Sequence, residues 1–322
     1  APFPSCHAST IAENAQGELV TAWFGGTRER HPDVCIYVSR KVDGSWTEPV
    51  NVADGIRKDG SRLPTWNPVL YQVPGGELQL YYKIGPHPRE WQGWMKTSAD
   101  GGISWSEARM LPEGFIGPVK NKPVLIGNRL ISPSSTENNG WRVHFELSTN
   151  FGKNWTMSTP INDGVKIHAI QPSILSYPDG RLQILCRSKN RAILESWSDD
   201  GGLNWSPMEK TSLPNNNSGT DAVSLSDGTQ LLVYNHVLPP GDAYKGDRTP
   251  LNIAMSRDGK HWHATLVLED TPESEFSYPS IIQTTDGLVH VVYTWNREKI
   301  KHVEIDPAQL KGTSIQEGRW PE

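Results

Sequence analysis

The chain has 322 residues, 31 Lys and Arg against 36 Asp and Glu, and a formal net charge of -5. Charges of both signs are interspersed, so no basic stripe of the kind that binds nucleic acid stands out. No apolar run approaches the roughly 18 residues that a membrane-spanning helix needs, and Cys6, Cys35 and Cys186 are too few and too scattered for a disulfide framework or a zinc cluster.

From the N terminus onward the chain reads as short alternating runs broken by Gly, Asp and Pro. One phrase returns six times: a slot residue, usually followed by Pro, then an apolar run, a Gly turn and a second alternating run. It begins at His7, Asn67, Lys122, Gln171, Asp221 and Tyr278, with its turn at Gly17, Gly76, Gly127, Gly180, Gly228 and Gly287. Each phrase predicts a β-hairpin, and a period of about 50 residues built from hairpins marks a propeller. Length alone suggests two domains, but the repeat predicts one all-β unit, a six-bladed β-propeller spanning residues 1–322.

A second hairpin follows each phrase and carries its own mark, Ser-x-Asp-x-Gly-x-x-Trp. It is complete at Ser98–Trp105 and Ser198–Trp205, carries Asn150 for Asp at Ser148–Trp155, is one residue shorter at Ser256–Trp262, and is worn at Ser39–Trp46. The Asp accepts backbone N–H bonds of a turn, Gly takes positive φ, and Trp packs beneath. These acids are therefore read as turn residues rather than catalytic ones. The segments Gly85–Gln92 and Pro239–Asp247 read as loops, and the last hairpin, ending near Val303, is expected to find an edge partner in the N-terminal residues.

An antiparallel hairpin brings the start of its first strand and the end of its second to one end. The six slot residues should therefore ring one mouth of the central channel. Trp23, Lys83, Arg187, Tyr234 and Trp295, which end the second strands, should join them. Lys83, Lys122 and Arg187 predict an anionic ligand, Arg suits a carboxylate because its planar fork gives two parallel bonds, and the aromatic residues suit a sugar face. A carboxylated sugar satisfies both demands.

The Asp-box marks and this ring resemble the sialidase (neuraminidase) superfamily, and the likeness covers almost the whole chain. The resemblance implies an Arg triad holding a substrate carboxylate, a Tyr nucleophile, a Glu that activates it and an acid/base carboxylate. It assigns two triad positions to Arg187 and Arg248, and the nucleophile to Tyr278 in Phe-Ser-Tyr-Pro-Ser. The acid/base falls in Gly25–Asp33, as Glu29 or Asp33, with Glu29 preferred because Asp33 runs directly into a strand. Two departures stand out. His7 is found where the first triad Arg is expected, and Gln171 where the activating Glu is expected. Gln takes no proton, so Asp221 or Glu137 become candidates to activate Tyr278.

Three functions follow. The leading one is an exo-acting glycosidase that removes a terminal acidic sugar from a glycan, using Tyr278 with Glu29 or Asp33, while Arg187 and Arg248 hold the carboxylate and Asn67, Lys83, Lys122, Gln171, Asp221, Trp23 and Glu137 line the site. The second is a uronate lyase with His7 or Tyr278 as base. The third is a non-catalytic propeller that binds acidic glycans. No cofactor is expected, and His290 and His302 lack metal-ligand spacing. His144 reads as a strand histidine, Lys96 as added positive charge, and Asn215–Gly219 as a turn-rich loop at the mouth. The chain begins at Ala1 rather than Met, and a secreted or periplasmic setting is slightly favoured over a cytoplasmic one.

Overall fold

The computed structural model describes residues 2–57 and 59–321. Six antiparallel sheets form a six-bladed β-propeller. The inner strands of the blades are Ser5–Glu13, Thr65–Gln72, Val124–Ile126, Ala169–Ser176, Asp221–Ser224 and Phe276–Gln283. Each turns back into a second strand: Leu19–Gly26, Leu78–Ile84, Arg129–Thr136, Leu182–Ser188, Gln230–Tyr234 and Val289–Trp295. The single 3-10 turn among the described residues is Pro307–Gln309, and no helix is long and apolar enough to cross a membrane.

The four Asp boxes, in blades 2 to 5, lie at the blade ends opposite the mouth. Asp200 accepts from the backbone N–H groups of Leu203 and Asn204 at 3.0 and 2.9 Å, and Ser198 donates to it at 2.9 Å. The box Trp also packs on the preceding blade. Trp205 of blade 4 stacks on Phe145 of blade 3 at 4.6 Å, and Trp155 of blade 3 meets Tyr81 of blade 2 edge-on at 6.1 Å. Gly202 has a φ of 85°, which favours glycine, and a Cβ there would press to 2.7 Å from the tip of Ile131 in blade 3, which would have to shift. The box thus staples neighbouring sheets, which makes each recurring motif a unit of ring assembly.

Two expectations fail here. Ser39–Trp46 is not a degenerate box but a two-residue Asp43-Gly44 hairpin with φ of 49° and 79°, the signature of a type I′ turn. The N-terminal residues do not add a strand to blade 6, which has three strands among the described residues and an open edge at Lys299–Ile305. The ring closes instead through packing of Phe3, Cys6 and Trp23 on Ile300, and through a bond from Cys6 N–H to the Arg297 carbonyl at 2.7 Å. Charged Lys299, Lys301 and Glu304 along that edge discourage pairing with another chain. The C-terminal Thr313–Ser314 pairs with blade 5.

Candidate functional site

A backbone device sets the mouth. In blades 1, 2, 4 and 6 the inner strand carries a bulge between His7 and Thr10, Trp66 and Val69, Ile170 and Ser173, and Ser277 and Ser280. In each bulge one non-glycine residue has positive φ: Ala8 (57°), Asn67 (35°), Gln171 (57°) and Tyr278 (52°). A bulge re-aims its side chain and leaves one residue outside the ladder. Proline, which has no N–H to pair, tolerates the next position in three of the four. This is the physical origin of the recurring polar-Pro phrase.

The same register corrects half of the predicted ring. Counted back from the shared hairpins, the slot of blade 1 is Ala8, that of blade 3 is Lys120, and that of blade 5 is Gly219. His7 stands one residue earlier but still packs at the hub. Lys122 and Asp221 stand one layer down the channel, where they pair with each other at 2.8 Å. Asp221 also accepts from Ser173 Oγ at 3.0 Å and from Ile281 N–H at 2.9 Å, so this pair ties inner strands together.

The second-strand residues opposite the bulges are Phe24, Lys83, Arg187 and Thr294. Trp23 therefore faces away, packed between blades 6 and 1 with Phe3 and Cys6. Tyr234 is fully buried, with its hydroxyl on His236 at 2.5 Å, and Trp295 packs on Phe276. Lys83 is fully buried and donates to the carbonyls of Asn67 and Pro118. Burial pulls its pKa down to about 7 against the opposing charge of Glu146, and both carbonyl bonds turn it inward rather than toward a ligand.

Tyr278 is the centre of what remains. Arg187 Nη1 donates to its hydroxyl oxygen at 2.6 Å, and Gln171 Nε2 approaches the same oxygen at 3.4 Å. The His7 ring lies 4.2 Å from the Tyr278 ring, while Arg187, Arg248 and Lys120 stand 5.7, 5.7 and 5.8 Å from it. Gln171 thus occupies the place expected of the activating Glu, as an amide. Neither Asp221 nor Glu137 contacts Tyr278: Asp221 serves the channel pair, and Glu137 accepts from Trp141 Nε1 at 3.1 Å.

The surrounding charges are organised by carboxylates. Glu275 accepts from Arg248 at 2.7 Å and Arg297 at 3.0 Å, and Arg297 also pairs with Glu29. Burial would raise the pKa of Glu275, but the two guanidinium groups outweigh it and hold the carboxyl below its ordinary value. Arg187 is fixed by Asn217 Oδ1 at 2.9 Å and lies over the Trp141 ring at 5.1 Å. His7 is kept neutral, its pKa driven well down by burial first and then by Arg297, Arg248, Arg187 and Lys120. Three guanidinium groups and Lys120 face two carboxylates, leaving a positive mouth.

The two acid/base candidates separate. Asp33 accepts from Thr27 N–H at 3.0 Å and Thr27 Oγ1 at 2.6 Å, closing its own loop. Burial raises its pKa, but the bonds from Thr27 and His31 prevail and leave it lowered, which opposes a proton donor. Glu29 instead reaches Arg297 at the hub. The lesser candidates resolve as well. His144 bonds the fully buried Glu146 at 3.3 Å, Lys96 bridges to the Val52 carbonyl of blade 1 at 2.7 Å, and His290 meets His302 at 3.0 Å. The Asn215–Gly219 loop does reach the mouth, through Asn217. No group of three or more potential metal ligands converges among the described residues.

Arg297, Glu275, Lys120 and Trp141 were absent from the predicted site. Lys120 lies two residues before the assigned slot and would follow from correct hairpin registration. Arg297 sits in the turn after the last second strand, at the mouth end of its blade, but a turn Arg carries no periodic signal.

Residues 17–291 match the family described as a BNR repeat-like domain. No curated protein matches the chain. Among solved structures, the intramolecular trans-sialidase from Ruminococcus gnavus, in complex with oseltamivir carboxylate, superposes with a TM-score of 0.75 at 15% identity over 97% of both chains. A Hadza microbial sialidase gives 0.77 at 16% identity, over 96% of this chain and 67% of that one. The Penicillium chrysogenum α-L-arabinanase complexed with arabinobiose gives 0.68 at 13% identity, over 96% and 95%. At these identities the structural likeness speaks for the shared propeller. With the match spanning most of the sequence, the chain belongs to the BNR repeat-like domain family, on the six-bladed propeller that sialidases also use.

Proposed function

We propose that this chain is an exo-acting glycosidase for a terminal sugar bearing a carboxylate. The observation that carries the reading is the convergence of Arg187 and Arg248 on Tyr278, with Arg297 joined to Arg248 through Glu275. Planar guanidinium groups at a partly buried site favour a planar anion. A neutral phenol is a suitable nucleophile there because it does not repel the carboxylate next to the anomeric carbon.

In this reading the substrate carboxylate takes up the Arg cluster, and Tyr278 Oη attacks the anomeric carbon or supports the oxocarbenium ion while water attacks. Glu29 protonates the leaving oxygen. Its bond to Arg297 gives that step a trigger: an incoming carboxylate competes for Arg297 and frees Glu29 to turn to the leaving oxygen.

The lyase reading is weaker. His7 is neutral, as a base must be, but the burial and four cations that keep a proton off it also make it a poor acceptor. The test is turnover of sialosides and uronic-acid glycosides by the wild type and by Tyr278→Phe. Loss of turnover in the variant supports the reading. Equal turnover removes Tyr278 from the chemistry, and an unsaturated, ultraviolet-absorbing product replaces hydrolysis with elimination.

A further inference from the structure

A fourth cation lies against the Tyr278 ring, and its bonds leave it no carboxylate. Lys120 enters the hub from the segment linking blades 2 and 3, with its side chain buried. Its ammonium donates to Asn121 Oδ1 at 2.8 Å, to the Thr220 carbonyl at 2.9 Å and to the Pro279 carbonyl at 2.6 Å. All three N–H donors are spent, and the nitrogen stands 5.8 Å from the centre of the Tyr278 ring.

Two further features show that this position is built. Pro279 follows Tyr278, whose φ of 52° is a left-handed conformation that costs a tyrosine energy and must be held from outside. Lys120 grips the carbonyl at that point. Across from it, a Cβ on Gly219 would lie 2.9 Å from Lys120 Cε, so the glycine leaves room for the lysine stem.

The charged and titratable groups around Lys120 come from every neighbouring blade. Arg187 approaches from blade 4, Asp221 of blade 5 with its partner Lys122 of blade 3 lies one layer down, His7 and Arg248 also stand against the Tyr278 ring, and Arg297 is joined to Arg248 through Glu275. Asp221 is already paired with Lys122. Burial, only partly offset by Asp221 and reinforced by Lys122 and Arg187, pulls the Lys120 pKa down to about 7.

We propose that Lys120 is a positioning residue for Tyr278: it fixes the strained backbone beside the phenol and, from beneath the ring, supplies positive charge that favours a developing negative charge on the phenol oxygen. This rests on the acidic-sugar reading and deepens it, because it supplies what Gln171 cannot. A carboxylate base draws the phenol proton away, whereas a cation lowers the cost of the oxyanion that remains when the proton leaves to water. The role is electrostatic and geometric, and Lys120 itself touches no reacting atom.

The experiment uses the full chain with ¹³Cζ-labelled tyrosine, the Tyr278 resonance being assigned from Tyr278→Phe. In the wild type this resonance steps as pH rises through about 7, when the ammonium beneath the ring loses its proton. In Lys120→Met the step is absent. Gly219→Ala, which displaces the lysine without removing it, moves the step or the resonance and keeps the proposal testable if Lys120→Met does not fold. A Tyr278 resonance that Lys120→Met leaves unchanged at every pH, or a step that survives in Lys120→Met, overturns the proposal. Turnover supplies a separate arm: on any acidic glycoside the wild type cleaves, Lys120→Met lowers kcat at least tenfold with KM little changed, and an unchanged kcat also overturns it. If the wild type cleaves no acidic glycoside but the step is present and Lys120-dependent, the acidic-sugar reading fails while the coupling of Lys120 to Tyr278 stands.

Discussion

Arg187 Nη1 and Tyr278 Oη are 2.6 Å apart, although 91 residues separate them in sequence. The bulge at Tyr278 and the end of the second strand of blade 4 bring them together. Any substrate that reaches the phenol therefore meets a guanidinium already oriented by Asn217. Replacing Arg187 with Met should weaken binding of a carboxylated sugar by about 2–5 kcal/mol, the usual cost of removing one partner of a buried charge pair. Calorimetric titration with N-acetylneuraminic acid and D-glucuronic acid measures this, and a loss below threefold for the sugar that binds would separate Arg187 from the carboxylate.

Gln171 sits within reach of both Arg187 and Tyr278. Gln171→Glu places a proton acceptor there without changing side-chain length. The variant should turn over and should gain an acid limb in its kcat–pH profile, because its carboxylate works only when ionised. A profile identical to that of the wild type would mean that residue 171 takes no part in the phenol's proton chemistry.

Arg297 is held between Glu275 and Glu29. Arg297→Ala should raise KM for an acidic substrate at least tenfold and should remove any competition between substrate carboxylate and Glu29. Steady-state kinetics compared with Glu29→Gln checks this. If Arg297→Ala binds the substrate normally, the third guanidinium is structural.

Lys83 gives a stability prediction with a fixed sign. Its folded pKa is about 7, lowered by burial, whereas in the unfolded chain it has its ordinary value near 10.4. Between those values the unfolded chain binds a proton that the native chain lacks, so this residue makes stability rise with pH over that window. From pH 7 to 9 the gain is about 2 kcal/mol. Urea unfolding of the wild type and of Lys83→Met at both pH values isolates it: the wild type should gain about 2 kcal/mol more than the variant over this interval. Equal changes in the two proteins would mean that Lys83 keeps its proton.

Trp205 tests the stapling role of the box. Its stack on Phe145 joins blades 3 and 4, and truncation of a packed Trp costs about 3–5 kcal/mol. Trp205→Ala should lower the melting temperature while leaving KM unchanged, since the box lies at the end opposite the mouth. A shift in KM without loss of stability would contradict this assignment.

The blade count and the turn role of the boxes were legible because hairpin period and turn chemistry are local properties. The site was legible only where the bulge kept its phrase. Asn67, Gln171 and Tyr278 precede Pro at the bulge and were placed in the correct layer. In blades 1, 3 and 5 the sequence phrase is out of step with the bulge register by one or two residues: Lys122 and Asp221 fall one layer down, while His7, one residue early, still packs at the hub. Trp23 failed for a related reason, since one step along a strand reverses the face that a side chain occupies. Arg297 and Glu275 lie in connecting segments, where no period constrains position, and their pairing depends on the closed ring.

The account rests on recognition of a carboxylate at the Tyr278 mouth. The most direct measurement is the dissociation constant of one sugar in two forms, the free acid and its methyl ester, titrated into the Tyr278→Phe protein. The account predicts that esterification weakens binding at least 100-fold, and that this ratio collapses toward one in Arg187→Met. Equal affinity for acid and ester in the parent protein would contradict it.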